Sequence, residues 1–514
     1  MSDFNPSKYQ QAIFDWLAAG SGNAIVSAVA GSGKTTTLVE ASRRLGNKRL
    51  FFAAFNRHIV STLKARLPQD AHCRTIHSVG YGCLVRKFGR KPEVREGKYR
   101  HYCKAVSHRM HDRLQNEYEA GLLHIRDTED IPPPPPTPDQ IYAQLDALVT
   151  LCRCTLVEVG NLRALYELIA HFAIDCPIDI GRVQPVVRYI LDQGLRDAEE
   201  HCAVDYLDMI WLPHIWKLMP ESYDWIFVDE AQDLNAAQLA LVRKMSDAGT
   251  RLLFVGDPRQ AIYGFAGADS QSYYKIREFT KATEFPLSIC YRCADRVVEL
   301  AQGLVPEIEP APDAPEGEVQ EIPESQILSY VRENDLVLSR RTEALFAMCL
   351  NLLSNRIRAY IKGKELGASL VAIIEQIEAE PDFKFPGFIE SLNRFLDESV
   401  LKLKEKPDSE RQIDDLKDQI ASIEVCYTSF SVKSVLQLKA EIKALFDDRQ
   451  AAVTLSTIHK AKGLENKRVF ILDYDSLPLR WENQKDWQYT QELNLKYVAV
   501  TRAQASLFLV KDDK

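Results

Sequence analysis

Ala24-Ile-Val-Ser-Ala28-Val29-Ala30-Gly31-Ser32-Gly33-Lys34-Thr35-Thr36 is the segment from which the rest of the chain is best read. A short apolar run ends at Ala28, two glycines follow, and Lys34-Thr35 open a helical pattern. This is the P-loop arrangement, with Ala28 in place of the usual first glycine. Gly31 and Gly33 let backbone N–H groups turn toward phosphate oxygens, and the N-terminus of the following helix adds its dipole. Residues 28–36 are therefore the candidate nucleotide-binding loop. In it Lys34 is placed to reach the β/γ-phosphates and Thr35 to ligate Mg²⁺. A plain glycine turn is the competing reading, and it leaves the ordered strand, Gly-Lys-Thr and helix unexplained.

Downstream, Trp225-Ile-Phe-Val-Asp229-Glu230-Ala-Gln-Asp233 delivers two adjacent acids at the end of an apolar strand. Ligands bind at such carboxyl ends in open α/β sheets. Asp229 is the candidate Mg²⁺ ligand, and Glu230 the group that orients or deprotonates an attacking water. Further apolar runs lie at Leu50–Ala54, 252–255, 336–338, 453–455, 469–472 and 507–510, with helical patterns between them. This alternation predicts an α/β protein with parallel sheets covered by helices. The runs fall into two groups, so two cores are expected: 1–84 with 201–285, and 286–365 with 450–514. Two helical insertions separate their parts. The first, 85–200, contains the polyproline segment 132–136, expected as a loop. The second, 366–449, carries Ile413, Leu416, Ile420 and Ile423 on one helix face and Val435, Leu438, Ile442 and Leu445 on another, and reads as a small antiparallel helical domain.

The chain has 514 residues, 46% hydrophobic and 26% charged, which excludes collagen-like, disordered and disulfide-scaffold classes. No apolar stretch approaches the ~18 residues of a spanning helix, and the N-terminus has no export pattern. Eleven cysteines, an odd number, fit reduced thiols. A cytoplasmic location without membrane partners is expected. Cys290-Tyr-Arg-Cys293 is the sole CxxC, and it reads as two unrelated thiols. Net charge is −8, yet Arg43 to Arg100 holds 15 Lys/Arg and 3 Asp/Glu. A basic segment in an acidic chain points to a local phosphate-binding surface.

Asp229-Glu230-Ala-Gln-Asp233 is similar to motif II of the superfamily 1A helicases of UvrD/PcrA/Rep type, and other motifs follow in that family's order. Phe4-Asn5-Pro-Ser-Lys-Tyr-Gln10-Gln11 resembles the Q motif, with Gln10, or alternatively Gln11, as the adenine-reading glutamine. Ala54-Phe55-Asn56 resembles motif Ia, Thr75-Ile-His77-Ser78 motif Ib, and Asp205-Tyr-Leu-Asp208 the short acidic motif before motif II. Val255-Gly-Asp257-Pro-Arg-Gln260-Ala-Ile-Tyr263-Gly-Phe265 resembles motif III, and Leu287-Ser-Ile-Cys290-Tyr291-Arg292 motif IV. Thr454-Leu-Ser-Thr457-Ile-His459-Lys-Ala-Lys462-Gly-Leu-Glu465 resembles motif V, and Leu495-Lys-Tyr497-Val-Ala-Val-Thr501-Arg502 motif VI. Departures at Asn56, Cys290 and Phe265 bring the chain nearer the F-box-DNA-helicase-like or short phage and bacterial branch.

The resemblance implies two RecA-like cores with ATP and Mg²⁺ between them. It implies Lys34, Asp229, Glu230, Gln260, Arg292 and Arg502 as the catalytic set, the two arginines as fingers. Tyr291 would stack on adenine and Glu465 would lie near the ribose. For DNA it implies Phe55, Tyr263 and Phe265 as base platforms, with Asn56, Thr75, His77 and Thr457 on the backbone. The expected activity is an ATP-dependent 3′→5′ DNA helicase in repair, recombination or replication, acting on single strands and single-/double-strand junctions, with protein partners in repair or phage defence. A DNA-stimulated ATPase or sensor, such as the helicase-like subunit of a Gabija-type defence complex, is the alternative. A regulatory nucleotide-binding protein without DNA is a third reading, which leaves the motifs after residue 335 unexplained. The small second insertion gives no ground for the regulation attributed to domain 2B in UvrD, and no nuclease module is expected after motif VI.

Overall fold

The computed structural model describes residues 4–19, 21–54, 57–122, 132–262, 272–404, 410–446, 452–482 and 484–513. It divides into two compact units. The first comprises Met1–Ser27, Lys34–Gly256 and Tyr263–Pro286; the second comprises Ala28–Gly33, Asp257–Ile262 and Leu287–Lys514. The six residues of the phosphate loop and the six after the strand Arg251–Gly256 thus cluster with the second unit, although the elements that flank them belong to the first.

The first sheet has six strands in the order His72–Thr75, Leu50–Ala54, Trp225–Val228, Arg251–Gly256, Ala24–Ala28, Thr283–Leu287. Its described registers are parallel. Leu50–Ala54 and Trp225–Val228 are buried at every position, as strands covered on both faces must be. Gly256 ends its strand where a Cβ would sit 2.5 Å from Gln232 Oε1, so only glycine lets this strand end close against the turn after Asp229-Glu230.

The second sheet also has six strands, Glu318–Pro323, Ala503–Lys511, Asn466–Ile471, Leu336–Ser339, Val453–Thr457 and Ala359–Ile361, all parallel. The α/β class and the two parallel cores read from the sequence are what the structure has.

The insertions differ in kind. In the first unit, the helices Lys98–Leu122, Pro138–Thr155, Leu162–Phe172 and Ile180–His201 build an apolar cluster around Leu145, Leu148, Val183 and Ile190, which Leu84, Trp211 and Leu212 of the flanking host helices join. The sheet has a separate cluster around Ile25, Phe51, Ile226 and Phe254. Residues 132–137 carry no helix or strand, as expected for the proline run. In the second unit, Ile374 and Ile377 of the helix Lys364–Glu378, Ile420 and Ile423 of Glu410–Phe430, and Leu438 and Ile442 of Val435–Ala444 share one cluster with Val337, Val453, Phe470 and Phe508 of the sheet. The helices of 366–449, expected as a small antiparallel helical domain, thus turn their apolar faces into the core of the second sheet.

A buried polar knot ties the first insertion to its host. Asp208 is fully buried and accepts from Lys98 Nζ at 2.8 Å and from Tyr99 Oη at 2.9 Å. Lys98 Nζ also donates to the carbonyls of Gly194 and Ala203. Arg153 Nη1 lies 2.8 Å from Asp205 Oδ2 and 3.4 Å from Asp208 Oδ1, with its guanidinium over the Tyr99 ring. The acidic motif Asp205–Asp208 thus spends both carboxylates on structure. Asp208→Ala, which leaves Lys98 buried without its carboxylate, should cost about 3–5 kcal/mol in urea unfolding of the intact chain; a loss below ~1 kcal/mol would mean that the knot does not hold the insertion.

Candidate nucleotide site and interaction residues

In the first unit the ends of two strands bring the acids and the Lys-Thr pair together. The strand Trp225–Val228 delivers Asp229, whose N–H donates to Ala53 O. Thr35 Oγ1 donates to Asp229 Oδ2 at 3.3 Å, and Lys34 Nζ lies 3.9 Å from Glu230 Oε2. Glu230 takes a left-handed backbone, φ 52°, which turns its carboxylate back while its N–H donates to Asp229 Oδ1. Gln232 Nε2 donates to Glu230 Oε2 at 2.6 Å. Burial, and then the adjacent Glu230, push the Asp229 carboxyl up to about 7 against the opposing pull of Lys34.

Gln10 is buried. Its amide accepts from Ser7 N–H and donates to Thr37 Oγ1 on the helix Lys34–Arg43. Gln11 is exposed and donates to Asp15, so of the two glutamines Gln10 is the one set against the phosphate-loop helix. Thr36 Oγ1 accepts from Arg66. Thr75 caps the helix Ile76–Phe88, its hydroxyl accepting from Ser78 N–H. His77 is half-buried, and burial lowers its pKa, which keeps the imidazole neutral at physiological pH. Phe55, Asn56, Tyr263 and Phe265 lie outside the described residues.

In the second unit the phosphate loop is held by motif IV and by the last helix. Gly31 has φ 67° and Gly33 φ 76°, values that favour glycine. A Cβ on Gly31 would meet Arg292 Cβ at 2.5 Å and Cys290 Sγ at 2.9 Å. Gly31 O accepts from Tyr291 N–H, and Ser32, fully buried, donates to Val29 O. Ala30 N–H donates to Tyr497 Oη at 2.9 Å. Val29 N–H donates to Leu287 O.

Arg292 pairs with Glu465 (Nε–Oε2 2.5 Å), and its Nη1 reaches Thr501 O at 3.4 Å. Arg502 is 1% exposed and donates to Val498 O, Leu464 O and Thr501 Oγ1. Here, then, Glu465 serves Arg292, and Arg502 fastens the end of the helix Asp486–Val500 to the segment before Glu465. Tyr291 is half exposed. Gln260 is buried and donates to Asp257 Oδ2 at 2.7 Å. Thr457 is buried as well, its carbonyl accepting from Lys460 and Ala461 N–H at a turn.

Three groups that hold these loops, Tyr497, Lys462 and Asn494, have no role in the reading of the sequence. Cys290 and Cys293, read as unrelated, are in contact. The Cys293 thiol hydrogen-bonds Cys290 and lowers its pKa, and Cys293 Sγ also faces Thr501 O. Spacing alone does not show this, because CxxC is common by chance.

A phosphate loop between strand and helix, paired acids at the end of another strand of the same sheet, and a second parallel sheet bearing basic motifs define a two-core P-loop protein. Residues 180–281 match the UvrD/REP helicase N-terminal domain, and residues 275–514 match the UvrD-like helicase C-terminal domain. The chain belongs to the UvrD-like helicases. F-box DNA helicase 1 of Gallus gallus is 25% identical over 94% of this chain and 47% of its own length. A probable DNA helicase of Mycoplasma pneumoniae is 25% identical over 56% of this chain and 44% of its own. The ATP-dependent DNA helicase PcrA of Staphylococcus aureus is 29% identical over 21% of this chain and 16% of its own. The chain thus spans less than half the length of these curated relatives. Among the described residues no helix is long and apolar enough to cross a membrane.

The raised Asp229 pKa has a consequence for stability. A carboxyl that binds its proton more tightly folded than unfolded favours folding at low pH, and the advantage is lost as pH rises toward the folded value. Stability should therefore fall between about pH 4 and pH 7 through this group. Asp229→Asn should flatten that part of the Tm–pH curve of the nucleotide-free protein and raise Tm at pH 8. An unchanged curve would show that Asp229 is not held in a costly ionised state.

Proposed function

We propose that the chain is an ATP-dependent DNA translocase and helicase that moves 3′→5′ on single-stranded DNA and acts at single-/double-strand junctions in repair, recombination or replication. The observation that carries the reading is the pairing of Thr35 with Asp229 and of Lys34 with Glu230 at the strand ends of a UvrD-like chain. Two carboxylates against one ammonium leave this cluster net negative. Its nearest oxygens, Thr35 Oγ1 and Asp229 Oδ2, are the hard donors that Mg²⁺ takes alongside nucleotide phosphates. Bound ATP and Mg²⁺ supply the phosphoryl group and neutralise its charge. Lys34 and the N–H groups of 31–35 hold phosphate oxygens, Glu230 orients the attacking water, and Gln260 belongs to the same catalytic set. Arg292 is the finger that stabilises developing charge, with Arg502 fixing the helix end on which Arg292 leans. Gln10 and Tyr291 take the adenine. Phe55, Tyr263 and Phe265 stack on bases; Asn56, Thr75, His77 and Thr457 follow the strand's backbone.

The deciding experiment is ATP turnover with and without single-stranded DNA, followed by unwinding of duplexes with 3′ or 5′ tails. Strong stimulation and unwinding of 3′-tailed duplex alone are expected. Turnover indifferent to DNA would remove the helicase reading, and stimulated turnover without strand displacement would leave a DNA-dependent ATPase or sensor. Arg292→Ala should lower turnover roughly 10³-fold while sparing ATP binding, and unchanged turnover would strip Arg292 of the finger role. Phe265→Ala should weaken single-strand binding by ~1–3 kcal/mol, measured by anisotropy.

A further inference from the structure

The helix Asp486–Val500 presents Asn494 and Tyr497 three residues apart, and so on one face. Both are buried. Tyr497 Oη accepts from Ala30 N–H in the phosphate loop at 2.9 Å. Asn494 Nδ2 donates to Ala261 O at 3.0 Å and to Pro258 O at 3.4 Å, either side of Gln260. Lys462 Nζ donates to Gln260 O at 2.7 Å. The backbone that carries Gln260 is thus gripped at three successive places, while the loop that carries Gly31 is gripped by the same helix one turn further on.

The helix then ends at the candidate arginines. Thr501 O receives Arg292 Nη1, and Arg502 Nε returns to Val498 O. Burial raises the Tyr497 hydroxyl well above its usual range, so it stays a protonated phenol across physiological pH. Glu492 of the same helix pairs instead with Arg340.

We propose that Asn494 and Tyr497 are positioning residues for ATP hydrolysis. They make this helix a rigid spacer that fixes the Gln260 loop relative to the phosphate loop and ties both to Arg292 and Arg502. A hydrolytic water must be aligned within a few tenths of an ångström of its target, so loosening the spacer affects the chemical step more than nucleotide binding. Tyr497→Phe removes one oxygen and keeps the buried ring. Asn494→Ala removes the grip on the Gln260 loop. Because one helix face acts as a unit, the two losses should not multiply.

The inference rests on the proposed ATPase reading, and the test separates the two. Wild-type turnover on single-stranded DNA is measured first: no hydrolysis there overturns the functional reading. Given an active wild type, each variant should lose roughly tenfold in kcat, per site counted with a tight-binding fluorescent nucleotide, with KM for ATP within about twofold. The double variant should also lose roughly tenfold, not a hundredfold. Unchanged kcat, a rise in KM alone, or a multiplied loss in the double variant would overturn the spacer. Glu492→Gln controls for general weakening of the helix. It should lower Tm and leave kcat per counted site near wild type, and if it copies the kcat loss the role of the helix is merely structural.

Discussion

Asp229 sits at the end of a fully buried strand, directly before a second acid, and the surroundings of both follow from that placement. A carboxylate taken out of water beside another needs cations and donors close by. The first unit meets this with the Thr35 hydroxyl, the Lys34 ammonium and the Glu230 amide, all delivered by backbone that the parallel sheet positions. Glu230 accepts a left-handed conformation to be there, and Gly256 forgoes a side chain so that the neighbouring strand can end close by. These are local costs that a fold bears where its polar groups must converge. The carboxyl pushed up to about 7 is the electrostatic trace of that convergence.

The strands that the sequence showed as apolar runs are the inner ones of both sheets. Leu50–Ala54, Trp225–Val228, Arg251–Gly256 and Ala24–Ala28 lie inside the first sheet; Ala503–Lys511, Asn466–Ile471, Leu336–Ser339 and Val453–Thr457 lie inside the second. Inner strands of a parallel sheet are covered on both faces, so hydrophobicity marks them without any periodicity. Within these two sheets, the strands that went unread are the four edges. His72–Thr75, Thr283–Leu287 and Glu318–Pro323 are exposed or half-buried at all but one position each and carry charge, as edges that avoid pairing with other chains do. Ala359–Ile361 is buried but only three residues long, between Arg358 and Lys362. The edges were invisible for a physical reason: they are the strands the core needs least.

The site divides along a similar line. Residues singled out by their own type and immediate neighbours, such as Lys34, Thr35, Asp229 and Glu230, could be expected from the letters to converge, and the fold brings them together. Residues whose work is to hold another backbone could not. Tyr497 and Lys462 stand inside quoted motifs and Asn494 just outside one, yet their partners are carbonyls and an N–H some 200 or more positions away. The three-residue spacing of Asn494 and Tyr497 was the available signal, and it acquires meaning only once both loops are known to lie against that face. Glu465 and Arg502 make the converse point. Motif position assigns them to a nucleotide, whereas their bonds here go to Arg292 and to the helix end.

The two insertions carry different consequences for motion. The first is fastened to its host through the Lys98–Asp208–Arg153 knot and through Leu84, Trp211 and Leu212, which join its apolar cluster, while that cluster stays independent of the first sheet's core around Ile25, Phe51 and Phe254. The second has no such independence. Ile374, Ile420 and Leu438 sit in the same cluster as Val337, Val453 and Phe508, and turning those helices as a block would open the core of the second sheet to water. Exposing even a handful of such side chains costs about 1.5–3 kcal/mol each, comparable in sum to the whole stability of a typical domain. Regulation by a swivelling second insertion is therefore physically disfavoured in this chain. Shifts confined to loops and helix ends leave that core closed, and such places are where the phosphate loop, the Gln260 loop and Arg292 are held.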